Sequence, residues 1–190
     1  MRLCRQTLDT AVGPMLTVAH DGGLCALEFD DGKRLGRLEA RLRRHYPGCV
    51  IEERPHAIIR QVDRWLTAYF GGKTADISTL ALDPRGQEFE MQVWSALRRI
   101  PPGTTTTYGA IAQQIGAPGA ARAVGLANGA NPIAIIVPCH RVIGANGTLT
   151  GYGGGLDRKA WLLNHERAHF FQLSQAGRAG RAGQAGRAGR

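Results

Sequence analysis

Residues 104–127 read TTTTYGAIAQQIGAPGAARAVGLA, a stretch that predicts two short helices. The threonines of 104–107 can supply the N-cap of a helix over Tyr108–Gln114, because a threonine hydroxyl oxygen can accept a hydrogen bond from a free backbone N–H in the first turn. The glycines and the proline of 116–119 end that helix, and a second one follows over 120–127. Two short helices joined by such a turn are typical of a helix-turn-helix, with an ordinary tight helix pair in a core as the alternative.

The second helix of this pair is built from small residues. Ala121, Ala123 and Gly125 leave little side-chain bulk on it, and Arg122 is its only charged residue. Small side chains allow a helix to approach another backbone closely. This composition therefore suits a helix that enters a groove as well as one that packs in a core.

The first eighty residues predict a mixed α/β half to which no chemistry is assigned. Met15–His20 and 23–30 are rich in strand-forming residues and flank Asp21-Gly22-Gly23, a hairpin signal. The basic run 41–44 is interpreted as a solvated helix face rather than as a nucleic-acid patch. The other predicted elements are a helix through Leu35, Leu38 and Leu42, a helix over 58–70, and short strands at 49–51 and 77–82.

These patterns predict an α+β fold in two parts. Residues 1–82 form a small mixed α/β N-terminal domain with an antiparallel sheet, and residues 83–171 form a mainly helical C-terminal domain that contains the helix-turn-helix. Residues 172–190 are predicted to be a disordered Ala/Gly/Arg segment, because no apolar side chain larger than alanine follows Leu173.

Composition restricts the class of protein. The chain has 190 residues, with 24 Lys and Arg against 15 Asp and Glu, which gives a formal net charge of +9. A hydrophobic fraction of 43% with 21% charged residues is typical of a globular protein and excludes a fibrous or wholly disordered one. No apolar run reaches the roughly 18 residues of a membrane span, and no signal peptide is expected. Four cysteines in a chain of this length do not suggest a disulfide framework, so a reduced, cytoplasmic protein is predicted.

Residues 133–137 form the apolar run IAIIV, which predicts a buried strand that ends just before Cys139 and His140. A cysteine there is rigidly positioned, and its thiolate is the nucleophilic form. An ordinary thiol with a pKa of about 8.5 is only slightly ionised at neutral pH, so a basic neighbour such as His140 or Arg141 is expected to raise the ionised fraction. The alternative is an inert, buried structural cysteine.

Residues 138–142, PCHRV, resemble the active-site signature of the O6-alkylguanine-DNA alkyltransferases. Further motifs of that family stand in its order and at its spacing over residues 89–166: Thr107-Tyr108-Gly109, AARAVG at 120–125, Asn131-Pro132, YGGG at 152–155 and LLNHE at 162–166. The chain is similar to stand-alone, bacterial-type members. The resemblance implies a winged-helix-like setting for the helix-turn-helix.

The resemblance also implies how the helix-turn-helix holds damaged DNA. The second helix enters the minor groove, where Ala121, Ala123 and Gly125 fit, and Arg122 takes the place of the extruded base. Tyr108 pushes the 3′ phosphate as the nucleotide rotates, and it later helps to protonate the departing guanine.

A second set of residues is implied for the chemistry. Asn131 braces the turn between the recognition helix and the active site, and Glu166 orients His140, which takes the proton of Cys139 through a water. Some relatives carry serine where Gly153 stands, so one hydroxyl contact to the base oxygen is absent here. The implied pocket residues are Val142, Tyr152, Gly153, Gly154 and Asn128.

The activity that the resemblance implies is DNA repair by direct, irreversible transfer of the alkyl group from O6-alkylguanine, and from O4-alkylthymine, to Cys139. The nucleotide is flipped from the minor-groove side, and the inert thioether product means that each chain reacts once. No cofactor and no metal are expected, since the DNA supplies the alkyl group. The expected partner is double-stranded DNA that carries O6-alkylguanine; a monomer in solution and no membrane contact are also expected.

The alternative function is that of a non-catalytic helix-turn-helix DNA-binding protein. It predicts that Cys139→Ala leaves all activity intact. The alkyltransferase hypothesis predicts instead that this substitution abolishes transfer while damaged DNA still binds.

Two patterns suggest zinc, and both are given another interpretation. Residues 165–169, HERAH, satisfy the H-E-x-x-H pattern of zinc proteases, but no His, Cys, Asp or Glu follows His169 to supply a third ligand. Glu166 is therefore interpreted as the partner of His140. Three residues of the N-terminal half are interpreted as small side chains in strands rather than as ligands of a structural zinc: Cys4, His20 and Cys25.

Overall fold

The computed structural model describes residues 1–73 and 75–184, with side chains described as far as Phe170 except that of Lys33. The N-terminal half is a four-stranded sheet in the order β3-β2-β1-β4. Two helices, α1 (Gly32–His45) and α2 (Ala57–Phe70), pack on its opposite faces. The strands are β1 (Arg2–Leu8), β2 (Met15–His20), β3 (Gly23–Phe29) and β4 (Val50–Glu53).

The predicted hairpin, β2–β3, and both predicted helices of this half are confirmed. The antiparallel sheet is confirmed only in part. β1 pairs antiparallel with β2, and β2 with β3, but β4 is parallel to β1. The reason is that α1 carries the chain back along the sheet after β3, so that β4 starts again in the direction of β1.

The C-terminal half is mainly helical, as predicted. It begins with α3 (Glu88–Leu97), and the two helices of the helix-turn-helix follow as α4 (Tyr108–Gln114) and α5 (Ala121–Gly129). Thr107 caps α4, since its side chain accepts a hydrogen bond from the backbone N–H of Ala110. The remaining elements are a 3-10 turn (Cys139–Arg141), a two-stranded parallel sheet of β5 (Thr106–Thr107) and β6 (Val142–Ile143), and α6 (Leu156–Gln184).

The strand predicted at 133–137 is wrong. Ile133 makes a single β-bridge to Leu27 of β3, the edge strand of the sheet. The chain then closes into a turn in which the N–H of Val137 donates to the carbonyl of Ile133 at 3.0 Å. Ile135 has a φ of 67°, which ends any extended run. Burial explains the error, because a short apolar run that is almost entirely buried has no periodicity that separates a strand from a packed turn.

Two further predictions differ from the structure. Residues 77–82 form no strand, because the side chain of Asp76 accepts from the N–H of Ser78 at 2.7 Å and turns the chain; only Leu82 bridges the sheet, at Leu24. Residues 172–184 continue the backbone of α6, where disorder was predicted, since adding turns to an existing helix needs no new nucleation. The rest of that segment, 185–190, lies outside the described residues.

One hydrophobic core joins the two halves. It includes Leu27 and Phe29 of β3 together with Trp94 of α3 and Ile133 of the buried turn. The Nε1–H of Trp94 also donates to the carbonyl of Ala127 at 2.8 Å, which holds α3 against α5. Among the described residues, no helix is both long enough and apolar enough to cross a membrane. The halves thus share a core beside the turn that carries Cys139.

Candidate active site and DNA-binding face

Cys139 opens the 3-10 turn that follows the buried turn at 133–137, and it is 6% exposed. Its Sγ accepts a hydrogen bond from Nδ2 of Asn131 at 3.1 Å. The same amide donates to the carbonyl of Val137 at 2.8 Å, and its oxygen accepts from the N–H of Ile133 at 3.0 Å. Asn131 therefore closes the turn and contacts the sulfur with one side chain.

Burial raises the pKa of Cys139 to about 11, against smaller lowering effects of the Asn131 hydrogen bond and of Arg34 and Lys159. The expectation that its basic neighbours raise the thiolate fraction is therefore wrong for the free protein. Both neighbours, His140 and Arg141, instead direct their side chains to Glu166. The thiol is held protonated in the absence of substrate.

Glu166 of α6 is fully buried and collects donors from four residues. Nε2 of His140 lies 2.9 Å from its Oε1, and Nη2 of Arg141 lies 2.7 Å from the same oxygen. The other donors are the hydroxyl of Tyr69 at 2.8 Å and the backbone N–H of Gly103 at 3.1 Å. Burial alone raises the pKa of Glu166. The hydrogen bonds from His140 and Arg141, and their charges, outweigh this effect and hold that pKa well below its usual range.

The ionised carboxylate fixes the tautomer of His140. Because Glu166 can only accept, Nε2 of His140 carries the hydrogen and Nδ1 holds a free lone pair. Burial lowers the pKa of His140, although Glu166 opposes this shift, so the neutral ring is favoured. Within the described part of the chain Nδ1 has no hydrogen-bond partner, which leaves it able to accept a proton.

The outer face of α5 is open to solvent. Arg122 and Ala123 are exposed, while Ala121 and Gly125 are half-buried. A Cβ built on Gly125 would lie 3.8 Å from the ring of Tyr108, an ordinary van der Waals distance, so the ring of Tyr108 packs beside this part of the helix. The hydroxyl of Tyr108 donates to the carbonyl of Thr150 at 3.1 Å, which joins α4 to the loop before α6.

A cavity of about 860 Å³ lies between this face, α1 and the loop at 150–153. It brings together seven residues that the sequence assigned to the site: Tyr108, Ala121, Arg122, Gly125, Asn131, Tyr152 and Gly153. The other seven residues do not line it: Gly154 packs on Phe29, Ala123 is exposed on α5, and five are buried, namely Asn128, Cys139, His140, Val142 and Glu166. Nδ2 of Asn128 donates to the carbonyl of Cys139 at 3.3 Å, so it supports the turn from within.

Sequence reasoning missed the contribution of the N-terminal half to this cavity. Arg34 forms an ion pair with the buried Glu28, and its guanidinium lies against Gly153 where any larger residue would collide with it. Arg37 and Arg41 line the same cavity, while Arg43 and Arg44 of the basic run 41–44 are exposed, as predicted for a solvated helix face. A signal was present, because positions 34, 37 and 41 share one helical face.

The residues that suggested zinc have other partners. A ring nitrogen of His165 donates to the carbonyl of Tyr69 at 2.7 Å, and Nε2 of His20 lies 2.9 Å from a carboxylate oxygen of Asp83. Across residues 1–73 and 75–184 no group of three or more His, Cys, Asp or Glu is arranged to hold a metal ion.

A helix-turn-helix with an exposed arginine, set beside a cavity whose lining includes Asn131, the hydrogen-bond donor to a buried cysteine, defines a DNA-binding protein with a cysteine-centred site. Comparison with known proteins gives the family. Residues 3–84 match the ribonuclease-like domain of 6-O-methylguanine DNA methyltransferase, and residues 88–168 match its DNA-binding domain. The chain belongs to the 6-O-methylguanine DNA methyltransferase family.

Similar proteins cover most of the chain. It is 47% identical to the methylated-DNA–protein-cysteine methyltransferase of Salmonella typhimurium over 87% of this chain and 96% of the relative. It is 49% identical to that of Mycobacterium bovis, over 86% and 92%. The crystal structure of Mycobacterium tuberculosis OGT in complex with DNA superposes with a TM-score of 0.72 at 43% identity, over 89% of this chain and 94% of that one.

These likenesses establish the coarse activity. The chain is an enzyme of the methylated-DNA–protein-cysteine methyltransferase class (EC 2.1.1.63), it binds DNA, and it acts in DNA repair.

Proposed function

We propose that this chain repairs duplex DNA by direct, irreversible transfer of the alkyl group of O6-alkylguanine, and of O4-alkylthymine, to Cys139. The observation that carries the proposal is a buried group of four side chains behind the helix-turn-helix. Sγ of Cys139 accepts from Asn131 at 3.1 Å, and the adjacent His140 is bonded to Glu166 at 2.9 Å. The similarity to a relative whose structure contains DNA supports duplex DNA as the partner.

Access to the buried thiol requires that the damaged nucleotide leave the base stack. This step costs a few kcal/mol, which contacts in the groove have to offset. In the proposal α5 enters the minor groove with Ala121, Ala123 and Gly125, and the exposed Arg122 fills the place of the extruded base. Tyr108 stands at the rim of the cavity, where it can contact the 3′ phosphate.

His140 is the base that removes the proton from Cys139 in this proposal. Its Nε2–H is held by Glu166, so the lone pair on Nδ1 takes the proton through a water. The amide of Asn131 then stabilises the thiolate, because a hydrogen bond to a charged acceptor is stronger than one to a neutral thiol.

The thiolate attacks the alkyl carbon in line, a C–S bond forms, and the C–O bond to the base breaks with its electron pair on the guanine oxygen. Burial raises the pKa of Tyr108, so its hydroxyl keeps the proton that it can donate to the departing base. The product is a thioether, and the chemistry includes no step that removes it. Each chain therefore reacts once, without a cofactor.

The test is transfer of a labelled methyl group from O6-methylguanine in duplex DNA. Cys139→Ala should abolish the label on the protein while binding to damaged DNA persists. Cys49→Ala is the matched control, since Cys49 is a free, half-buried cysteine outside the cavity lining, and it should keep full transfer. Label on the Cys139→Ala protein would overturn the proposal.

The same experiment distinguishes this function from the second candidate, a DNA-binding protein without chemistry. The second candidate requires that the Cys139→Ala protein retain every activity. A monomeric state and a cytoplasmic location stay predictions. Gel filtration of the free protein with light scattering tests the first of these.

A further inference from the structure

Tyr69 is the one described donor to Glu166 whose side chain comes from the N-terminal half. It lies on α2, is 4% exposed, and donates its hydroxyl to Oε1 of Glu166 at 2.8 Å. That oxygen is also the acceptor for His140. The hydroxyl of Tyr69 and the imidazole of His140 therefore share a single acceptor atom.

The ring of Tyr69 is held firmly in place. It stacks on Trp65 with centroids 5.2 Å apart and on Phe170 with centroids 5.7 Å apart. Burial raises the pKa of its phenol, with the charge of Glu166 acting in the same direction, so the hydroxyl stays protonated and remains a donor. A neutral donor fixed on a charged oxygen disperses part of that charge.

We propose that Tyr69 is a positioning residue for the alkyl-transfer reaction, which acts through Glu166 to set how strongly His140 holds a proton. The proposal rests on the function proposed above for His140. It adds a residue of the N-terminal half to a site whose other assigned residues lie between 108 and 166. Tyr69 is buried and is not among the residues that line the cavity, so it acts through the shared oxygen.

Several charged and titratable groups lie around Tyr69, Glu166 and His140, and they are unchanged when the hydroxyl of Tyr69 is removed. Arg141 lies beside His140 on the 3-10 turn, and Lys159 of α6 also acts on His140. His165 of α6 lies against the ring of Tyr69, with centroids 5.2 Å apart. Because none of these groups is altered in Tyr69→Phe, a change in His140 reports the lost hydroxyl.

The direction of the change follows from the charge on Oε1. Without the hydroxyl, Glu166 has one donor fewer and attracts the proton on His140 more strongly. The protonated ring is then favoured, so the pKa of His140 rises. Because a protonated His140 cannot act as a base, the transfer rate falls at low pH. In Tyr69→Phe the pH of this fall should be higher by about half a unit to one unit.

The experiment is a pH titration of the imidazole nitrogens in free protein by 15N NMR, with His140→Gln used to assign the His140 signals. Tyr69→Phe should raise the pH at which His140 protonates, and single-turnover transfer should show the same shift. Tyr69→Leu, which also removes the ring, should give the same shift with a larger loss of stability. Tyr46→Phe is the matched control, since this buried tyrosine donates to the backbone carbonyl of Asp83.

Two results would overturn the proposal. The first is a His140 titration that is the same in wild type and Tyr69→Phe. The second is an equal shift in Tyr46→Phe, which would show a general effect of lost stability. The titration does not depend on transfer, so a shifted His140 in a protein that fails to accept methyl groups would contradict the proposed function and leave the link from Tyr69 to His140 standing.

Discussion

At the residue scale, the thiol of Cys139 is protonated in the free protein, and a neighbouring hydrogen-bond donor, Asn131, can stabilise its thiolate. Burial sets the high pKa, while Asn131 provides a donor at 3.1 Å that favours the thiolate. With a pKa of about 11, only about one thiol in 10⁴ is ionised at neutral pH, so a base that removes the proton raises the thiolate fraction by up to about 10⁴-fold. The rate also depends on the position of the alkyl carbon and on the group that protonates the leaving base.

Glu166 gives a prediction at this scale for the pH dependence of stability. Its pKa in the folded chain lies below the value of about 4.3 for an unfolded glutamate, so its stabilising contribution is complete above that pH and is lost as the pH falls further. Glu166→Gln should cost about 3–5 kcal/mol at neutral pH, because it leaves His140 and Arg141 without their carboxylate.

Unfolding free energies, measured with denaturant between pH 7 and pH 3, test this prediction. The difference in unfolding free energy between wild type and Glu166→Gln should shrink as the pH drops below about 4.3. Glu88→Gln is the control, since this residue is exposed at the start of α3. A difference that stays constant over the whole range would contradict the charged role of Glu166.

At the element scale, α5 and α1 face each other across the cavity. α5 was predictable from the sequence, because caps, breaks and small residues mark the helix-turn-helix locally. The strand at 133–137 was predicted wrongly, since its burial removes the periodicity that identifies strands. β1 was missed, because Arg2, Arg5 and Gln6 interrupt the apolar alternation in a strand that is nevertheless central to the sheet.

Arg122 provides a prediction about α5. Arg122→Ala should slow repair of duplex DNA by about tenfold or more, a loss of about 1.4 kcal/mol, because nothing then fills the space of the extruded base. Reaction with free O6-benzylguanine should change much less, since a free base needs no flipping. Arg60→Ala, at an exposed position on α2, is the control. Equal losses on both substrates would remove Arg122 from the flipping step.

Gly153 provides a prediction about the docking of α1. Gly153→Ala should lower the unfolding free energy by about 1 kcal/mol, because the guanidinium of Arg34 has to move away from the new methyl group and its ion pair with the buried Glu28 opposes that movement. In an Arg34→Ala background the same substitution should cost less. Gly36→Ala in α1 meets open space and should be neutral or stabilising. Additive costs in the double variant would show that Arg34 does not press on Gly153.

At the scale of the whole molecule, one core and one site span both halves. The sequence predicted the C-terminal residues of the site, because they stand in local motifs and in one resemblance. It did not predict the hydrogen bond from Tyr69 to Glu166, which is 97 positions away, or the contact of Arg34 with Gly153. Pairings of this kind depend on how the halves pack, and no local pattern encodes them.

A shared core gives a prediction for the separated halves. A chain that begins at residue 83 lacks Phe29, on which Tyr152 packs with ring centroids 6.1 Å apart, and it lacks Tyr69. It should unfold at a lower temperature than the full chain and transfer methyl groups at least about tenfold more slowly. Thermal unfolding and single-turnover assays measure both effects. A separated C-terminal half with the full rate would contradict a shared site.

The central claim is that one sulfur atom accepts one alkyl group and keeps it. Intact mass spectrometry after incubation with excess duplex O6-methylguanine DNA, followed by peptide mapping, tests this directly. The account predicts a gain of one methyl group per chain, located on Cys139, with the remaining lesions unrepaired. An unchanged mass, or several lesions repaired by each chain, would contradict it.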